Sequence, residues 1–69
     1  MFTPRQIDVG DHVTIVRALA NEEGTFGAGH TFMVIDRRLG RDGWLFDLRD
    51  HDLNLLLDVS LSDIALVPE

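Results

Sequence analysis

The sequence predicts an all-β fold, five antiparallel strands closed into one small barrel with a single short helical turn before the last strand. Three observations predict it. Apolar residues recur at every second position through most of the chain, the spacing of a half-buried strand. Gly, Asp and Asn cluster between these runs, where an antiparallel meander turns. No stretch of a dozen residues shows the i, i+3, i+4, i+7 stripe of an amphipathic helix. With 69 residues, the chain has room for one domain, 1–69, because a chain of this size buries only about 60% of the surface its unfolded form exposes.

Val9-Gly10-Asp11 precedes the first strand, in which Val13, Ile15 and Leu19 share one parity. The segment from Asn21 to Gly29 carries Gly24, Gly27 and Gly29 and reads as a flexible loop. The second strand follows with Phe32 and Val34 inward. Gly40-Arg41-Asp42-Gly43, the strongest hairpin signal, joins it to a third strand presenting Trp44, Phe46 and Leu48. Arg49-Asp50-His51-Asp52 turns into a fourth, where Leu53, Leu55, Leu57 and Val59 take the inward parity and Leu56 faces out. Ser60-Leu61-Ser62-Asp63 offers side-chain acceptors for one helical turn, and Ile64, Leu66 and Val67 form a last strand stopped by Pro68. The expected core is Val13, Ile15, Phe32, Val34, Trp44, Phe46, Leu55, Leu57, Ile64 and Leu66.

Composition narrows the function. Hydrophobic residues make up 45% and charged residues 26% of the chain, a globular balance. There is no cysteine, hence no disulfide framework, thiolate zinc site or cysteine nucleophile. The apolar runs are far short of the roughly 20 residues that span a bilayer. Met1-Phe2-Thr3-Pro4-Arg5 lacks a signal peptide's basic start and apolar middle, so a cytoplasmic, soluble protein is expected. A formal charge of −6 repels a phosphate backbone and argues against direct nucleic-acid binding.

The opening Val9-Gly10-Asp11-His12-Val13, the long Gly-containing loop, the strand entered at Gly29-His30-Thr31-Phe32-Met33-Val34, the hairpin, and the close Val59-Ser60-Leu61-Ser62-Asp63-Ile64-Ala65-Leu66-Val67 together resemble the small SH3-like barrels. That group includes the KOW-type domains and the small stromal subunit of photosystem I. The likeness spans about residues 7 to 67. It implies a scaffold whose function comes from its surface. The basic strand edges of nucleic-acid-binding members are absent, and the peptide-binding aromatics of signalling SH3 domains are missing from a chain with no Tyr and one Trp.

Catalytic and metal sites find little support. His12, His30 and His51 lack the i, i+4 spacing of a helical zinc motif, and no metal or cofactor is expected. Ser60 and Ser62 sit in no G-x-S-x-G elbow. Gly24-Thr25-Phe26-Gly27-Ala28-Gly29 superficially suggests a phosphate loop, but the chain has no Lys and a strand follows. Arg37, Arg38 and Arg41 read as a solvated hairpin neutralised by neighbouring carboxylates.

Partner-binding residues are then sought on the surface. Glu22 and Glu23 rim an exposed Phe26 anchor in the glycine loop. Asp50, Asp52, Asp58 and Asp63 place a negative field over the C-terminal half, and Leu56 supplies an outward apolar contact beside Met33 and Leu45, through which two copies of the chain would pair. The expected function is a non-enzymatic protein–protein interaction module. Its most concrete form is a small acidic inhibitor that covers a basic nucleic-acid-binding surface of a larger complex, by class analogy with the anti-CRISPR proteins of mobile elements. The alternative is an accessory subunit that stabilises an enzyme complex.

Overall fold

The computed structural model describes residues 7–67; the stretch Met1 to Arg5, read for targeting signals, and Pro68, read as the last strand's stop, lie outside the described residues. The fold is all-β, with strands β1 (His12–Ile15), β2 (Leu19–Asn21), β3 (Gly24–Phe26), β4 (Thr31–Gly40), β5 (Gly43–Arg49), β6 (Leu55–Ser60) and β7 (Ile64–Leu66), and a 3-10 turn over Leu61–Asp63. Five of them form one antiparallel sheet in the order β6-β5-β4-β1-β7, while β2 and β3 pair separately. No helix among the described residues is long and apolar enough to cross a membrane.

The β4–β5 hairpin turns where the glycines place it. Gly40 pairs with Gly43 across the two-residue turn Arg41-Asp42, and a Cβ on Gly40 would sit 3.0 Å from the Leu45 side chain. Asn21 to Gly29, expected to be a loop, instead contains a second hairpin. Asn21 pairs with Gly24, and the Asn21 Oδ1 accepts the Glu23 N–H at 2.8 Å. This side-chain bond imitates a backbone turn and gives the polar segment a defined bend. Gly24, at φ +142, continues it in a conformation that L side chains rarely adopt. The last turn forms as expected, although Ser60 makes no side-chain cap.

Register departs from simple alternation on both flanks of β5. On β4, Val34 faces Leu48 and Asp36 faces Asp47, so one extra residue, Ile35, is accommodated there. On β6, Leu56 faces Leu48 and Val59 faces Phe46, which leaves Leu57 and Asp58 together opposite Asp47. Asp58 takes a left-handed conformation, φ 59, and its N–H donates to Asp47 Oδ1 at 3.1 Å. An inserted residue reverses which face the following side chains occupy. Leu56 and Val59, three apart, therefore both enter the core at 4% and 6% exposure, whereas Leu55 and Leu57 stand 38% and 59% exposed. The expected inward set Leu53, Leu55 and Leu57 with Leu56 outward is thus corrected, and the patch of Leu56 with Met33 and Leu45 does not form.

The core consists of Ile7, Val13, Ile15, Phe26, Phe32, Val34, Phe46, Leu48, Leu56, Val59 and Ile64, with Leu19, Trp44 and Leu66 packed against it. Strands β6 and β7 are the two ends of the sheet order, yet only Leu61–Asp63 separates them in sequence. Ends of a flat five-stranded sheet would lie about 19 Å apart, and a three-residue 3-10 turn rises about 6 Å. The sheet must curl to let one follow the other, and bulges of the kind seen on both sides of β5 bend and twist strands in that way.

Candidate functional site

The placement of charge decides which of the expected contact residues are available. Asp63 is held by Arg17, with Nε to Oδ1 at 2.8 Å and Nη2 to Oδ2 at 3.2 Å. Arg38 grips Asp47 with both terminal nitrogens, at 3.1 and 3.3 Å, and also pairs with Asp58. Arg37 lies 4.6 Å from the centre of the Trp44 ring and bonds Asp8 and the Ile7 carbonyl, each at 3.0 Å. The arginine pair in the hairpin is therefore neutralised, by Asp8, Asp47 and Asp58 rather than by the adjoining Asp36 and Asp42. Asp58 and Asp63 already carry a cation each, which weakens the negative field expected from them.

Asp50 is buried, its side chain 2% exposed, and does not face a partner. Its Oδ1 accepts the N–H groups of Asp52 at 2.9 Å and Asn54 at 2.8 Å; its Oδ2 meets Asn54 Nδ2 and His30 Nε2, both at 3.0 Å. The Asn54 side-chain bond contributes most to lowering the carboxyl pKa from 3.8 to about 2; burial opposes it, and the His30 bond and the two backbone N–H groups assist. Two further bonds, Asp50 N–H to the Asn54 carbonyl and Leu53 N–H to the Asp50 carbonyl, close the loop. Asp50 thus organises a turn. Sequence offered a signal for this in the D-x-D-x-N spacing, since Asp accepts bonds from N–H groups a few residues on.

Phe26 is likewise not the exposed anchor expected of it. At 9% exposure it packs edge-on against Phe32, ring centres 5.5 Å apart, and tilts against His30 at 5.4 Å. It pairs with Leu19 across the small hairpin, and both side chains turn onto the main sheet. Among the described residues no group of three or more His, Asp or Glu side chains comes together as metal ligands would.

Glu22, Glu23 and Asp52 remain exposed, and none forms an ion pair among the described residues. Glu22 and Glu23 occupy the β2–β3 turn, which is tied to the start of β6. Asn21 Nδ2 donates to the Leu55 carbonyl, and the Leu55 N–H donates to Glu23 Oε2 at 3.4 Å. Together Asn21, Glu22, Glu23, Leu55 and Leu57 border a groove of about 400 Å³. Leu55 and Leu57 were missed because their exposure follows from the bulge at Asp58, which alternation cannot show. A larger depression, about 550 Å³, lies beside the β4–β5 turn between Trp44 and the Ser60 to Ser62 segment. No family model matches the chain, and no curated protein or solved structure matches it either.

Proposed function

We propose that this chain is a non-catalytic protein-interaction module on a curled, SH3-like barrel scaffold, and that it docks through the β6 edge and the β2–β3 turn. The observation that carries this reading is the juxtaposition of exposed Leu55 and Leu57 with Glu22 and Glu23 in one groove. A lone exposed leucine means little, but two beside carboxylates that form no ion pair among the described residues make an apolar centre with a charged rim, the usual anatomy of a contact surface. The complementary partner surface is basic with an apolar centre. A small acidic inhibitor covering a nucleic-acid-binding face, as anti-CRISPR proteins do, is the concrete form of such a module; net charge −6 supports it by keeping the chain itself off nucleic acid.

Affinity capture from lysate of the source organism tests the reading. Wild type should retain a partner whose binding weakens several-fold as salt rises from about 50 to 300 mM, because screening shortens the reach of surface charge. The Glu22→Lys/Glu23→Lys double variant and Leu57→Asp should each lose that partner. Equal retention by the wild type and both variants would remove this surface from the account.

A further inference from the structure

A second groove, on the outer face of the main sheet, has the opposite character. One cross-strand row runs from His12 to Met33 to Arg49, each residue directly opposite the next on β1, β4 and β5. Directly opposed side chains on one face lie about 5 Å apart at Cβ. His51 and Leu53, from the loop after β5, close the same groove, which encloses about 440 Å³.

Arg49, like Arg41 at the β4–β5 turn, is paired with no carboxylate among the described residues. On this acidic molecule Arg17, Arg37 and Arg38 are each paired, and Arg38 already occupies Asp47, the acid two residues from Arg49 on the same strand. Arg49 forms no ion pair among the described residues, and two exposed imbalances surround it: the imidazoles of His12 and His51 can donate hydrogen bonds, with no carboxylate bonded to either ring. Asp50 borders the groove, but both its oxygens are turned inward onto Asn54, Asp52 and His30. Asp52 is exposed in the same loop without lining the groove.

Leu53 adds an apolar wall at a conformational cost. It is 69% exposed and held at φ 67, in the left-handed region that an L side chain rarely occupies. A residue kept there persists only when its surroundings over-determine it, and the bonds that Asp50 makes around the loop do so. The loop displays this large apolar side chain to solvent beside Met33 and the Arg49 guanidinium, which forms no ion pair among the described residues.

We propose that the His12–Met33–Arg49–His51–Leu53 groove is a binding site for an organic carboxylate joined to an apolar group. Arg49 receives the carboxylate through its planar fork of donors, the imidazoles of His12 and His51 supply further hydrogen bonds, and Met33 with Leu53 contacts the apolar half. The site shares no lining residue with the acidic groove described above, although Arg49 pairs with Leu55 across β5 and β6, and it stands whether or not that surface docks a protein. The same chemistry is offered by a free small acid, by a peptide ending in leucine, and by an internal Asp-Leu pair.

Amide chemical shifts of the full chain, followed during titration with N-acetylleucine, test the proposal. Saturable shifts should centre on Met33, Arg49, His51 and Leu53, with N-acetylleucine amide and inorganic phosphate each binding about tenfold more weakly. Arg49→Gln should abolish saturation, whereas Arg41→Gln, which also removes an arginine with no ion pair among the described residues, should leave it intact. Leu53→Gly should raise thermal stability and weaken binding, a split that a purely structural role for Leu53 would not produce. A capped peptide containing Asp-Leu, compared with an acetylated peptide ending in free leucine, then identifies the source by whichever binds more tightly. Absence of saturable shifts with N-acetylleucine and both peptides, equal binding of acid and amide, or equal effects of Arg49→Gln and Arg41→Gln would overturn it.

Discussion

Asp50 shows how one buried side chain can set a whole loop. Four donors surround its carboxylate, and its pKa is held at about 2 against 3.8. A folded-state pKa below the unfolded value makes the ionised group stabilising at higher pH. Its contribution is complete above about pH 4 and fades as pH falls through about 2. Asp50→Asn places a donor where the carboxylate accepts, so the variant should be less stable at neutral pH, with the difference from wild type shrinking between pH 4 and pH 2 in denaturant unfolding. A difference that stayed constant over that range would mean the carboxylate's charge has no part in holding the loop. A second contrast at this scale reads the register directly. Leu56→Ala should cost about 2 to 5 kcal/mol, as large-to-small core changes do. Leu57→Ala should stay within about 0.5 kcal/mol, as surface changes do. Simple alternation gives the reverse order, so urea denaturation of the two variants separates the registers.

At the scale of the element, the strands rich in evenly spaced apolar residues were legible and the irregular ones were not. Phe32 and Val34, then Phe46 and Leu48, lie on the expected face because their segments between the bulges keep a period of two. The β4–β5 turn was legible for a local reason, its two glycines. Leu53 to Val59 misled because a bulge changes parity without leaving an apolar signature; Asp58 tolerates its left-handed backbone because Asp is among the L residues that enter that region most readily. The candidate contact surface was legible only in Glu22 and Glu23, since the exposure of Leu55 and Leu57 and the burial of Phe26 arise from tertiary placement. The same bulge is tied across strands by Arg38, which bridges Asp47 and Asp58. Arg38→Ala should cost about 1 kcal/mol, the upper range for exposed pairs, because two carboxylates would be left facing each other. Raising salt to 1 M should reduce that cost by screening both. An effect indifferent to salt would assign Arg38 a packing role instead.

For the whole molecule, two sheets of unequal anchorage share one core. The five-stranded sheet contributes Val13, Phe32, Val34, Phe46 and Leu48, all at most 1% exposed, whereas the β2–β3 hairpin reaches the core through Phe26 and Leu19 alone. Opening free energies within one protein range from near zero to the global value, in proportion to the buried contacts that must be broken. Amides of β2 and β3 should therefore exchange with solvent well before those of β1, β4 and β5 under native conditions. Phe26→Ala should widen the gap, releasing the hairpin while the main sheet still unfolds cooperatively. Since the hairpin carries Glu22 and Glu23 and is tied to β6 at Leu55, its opening would also take apart the proposed docking groove without unfolding the sheet. Ligand or partner at that groove should then slow exchange in β2 and β3 more than elsewhere. Uniform protection across all seven strands would instead make the chain a single cooperative unit, with its contact surface as rigid as its core.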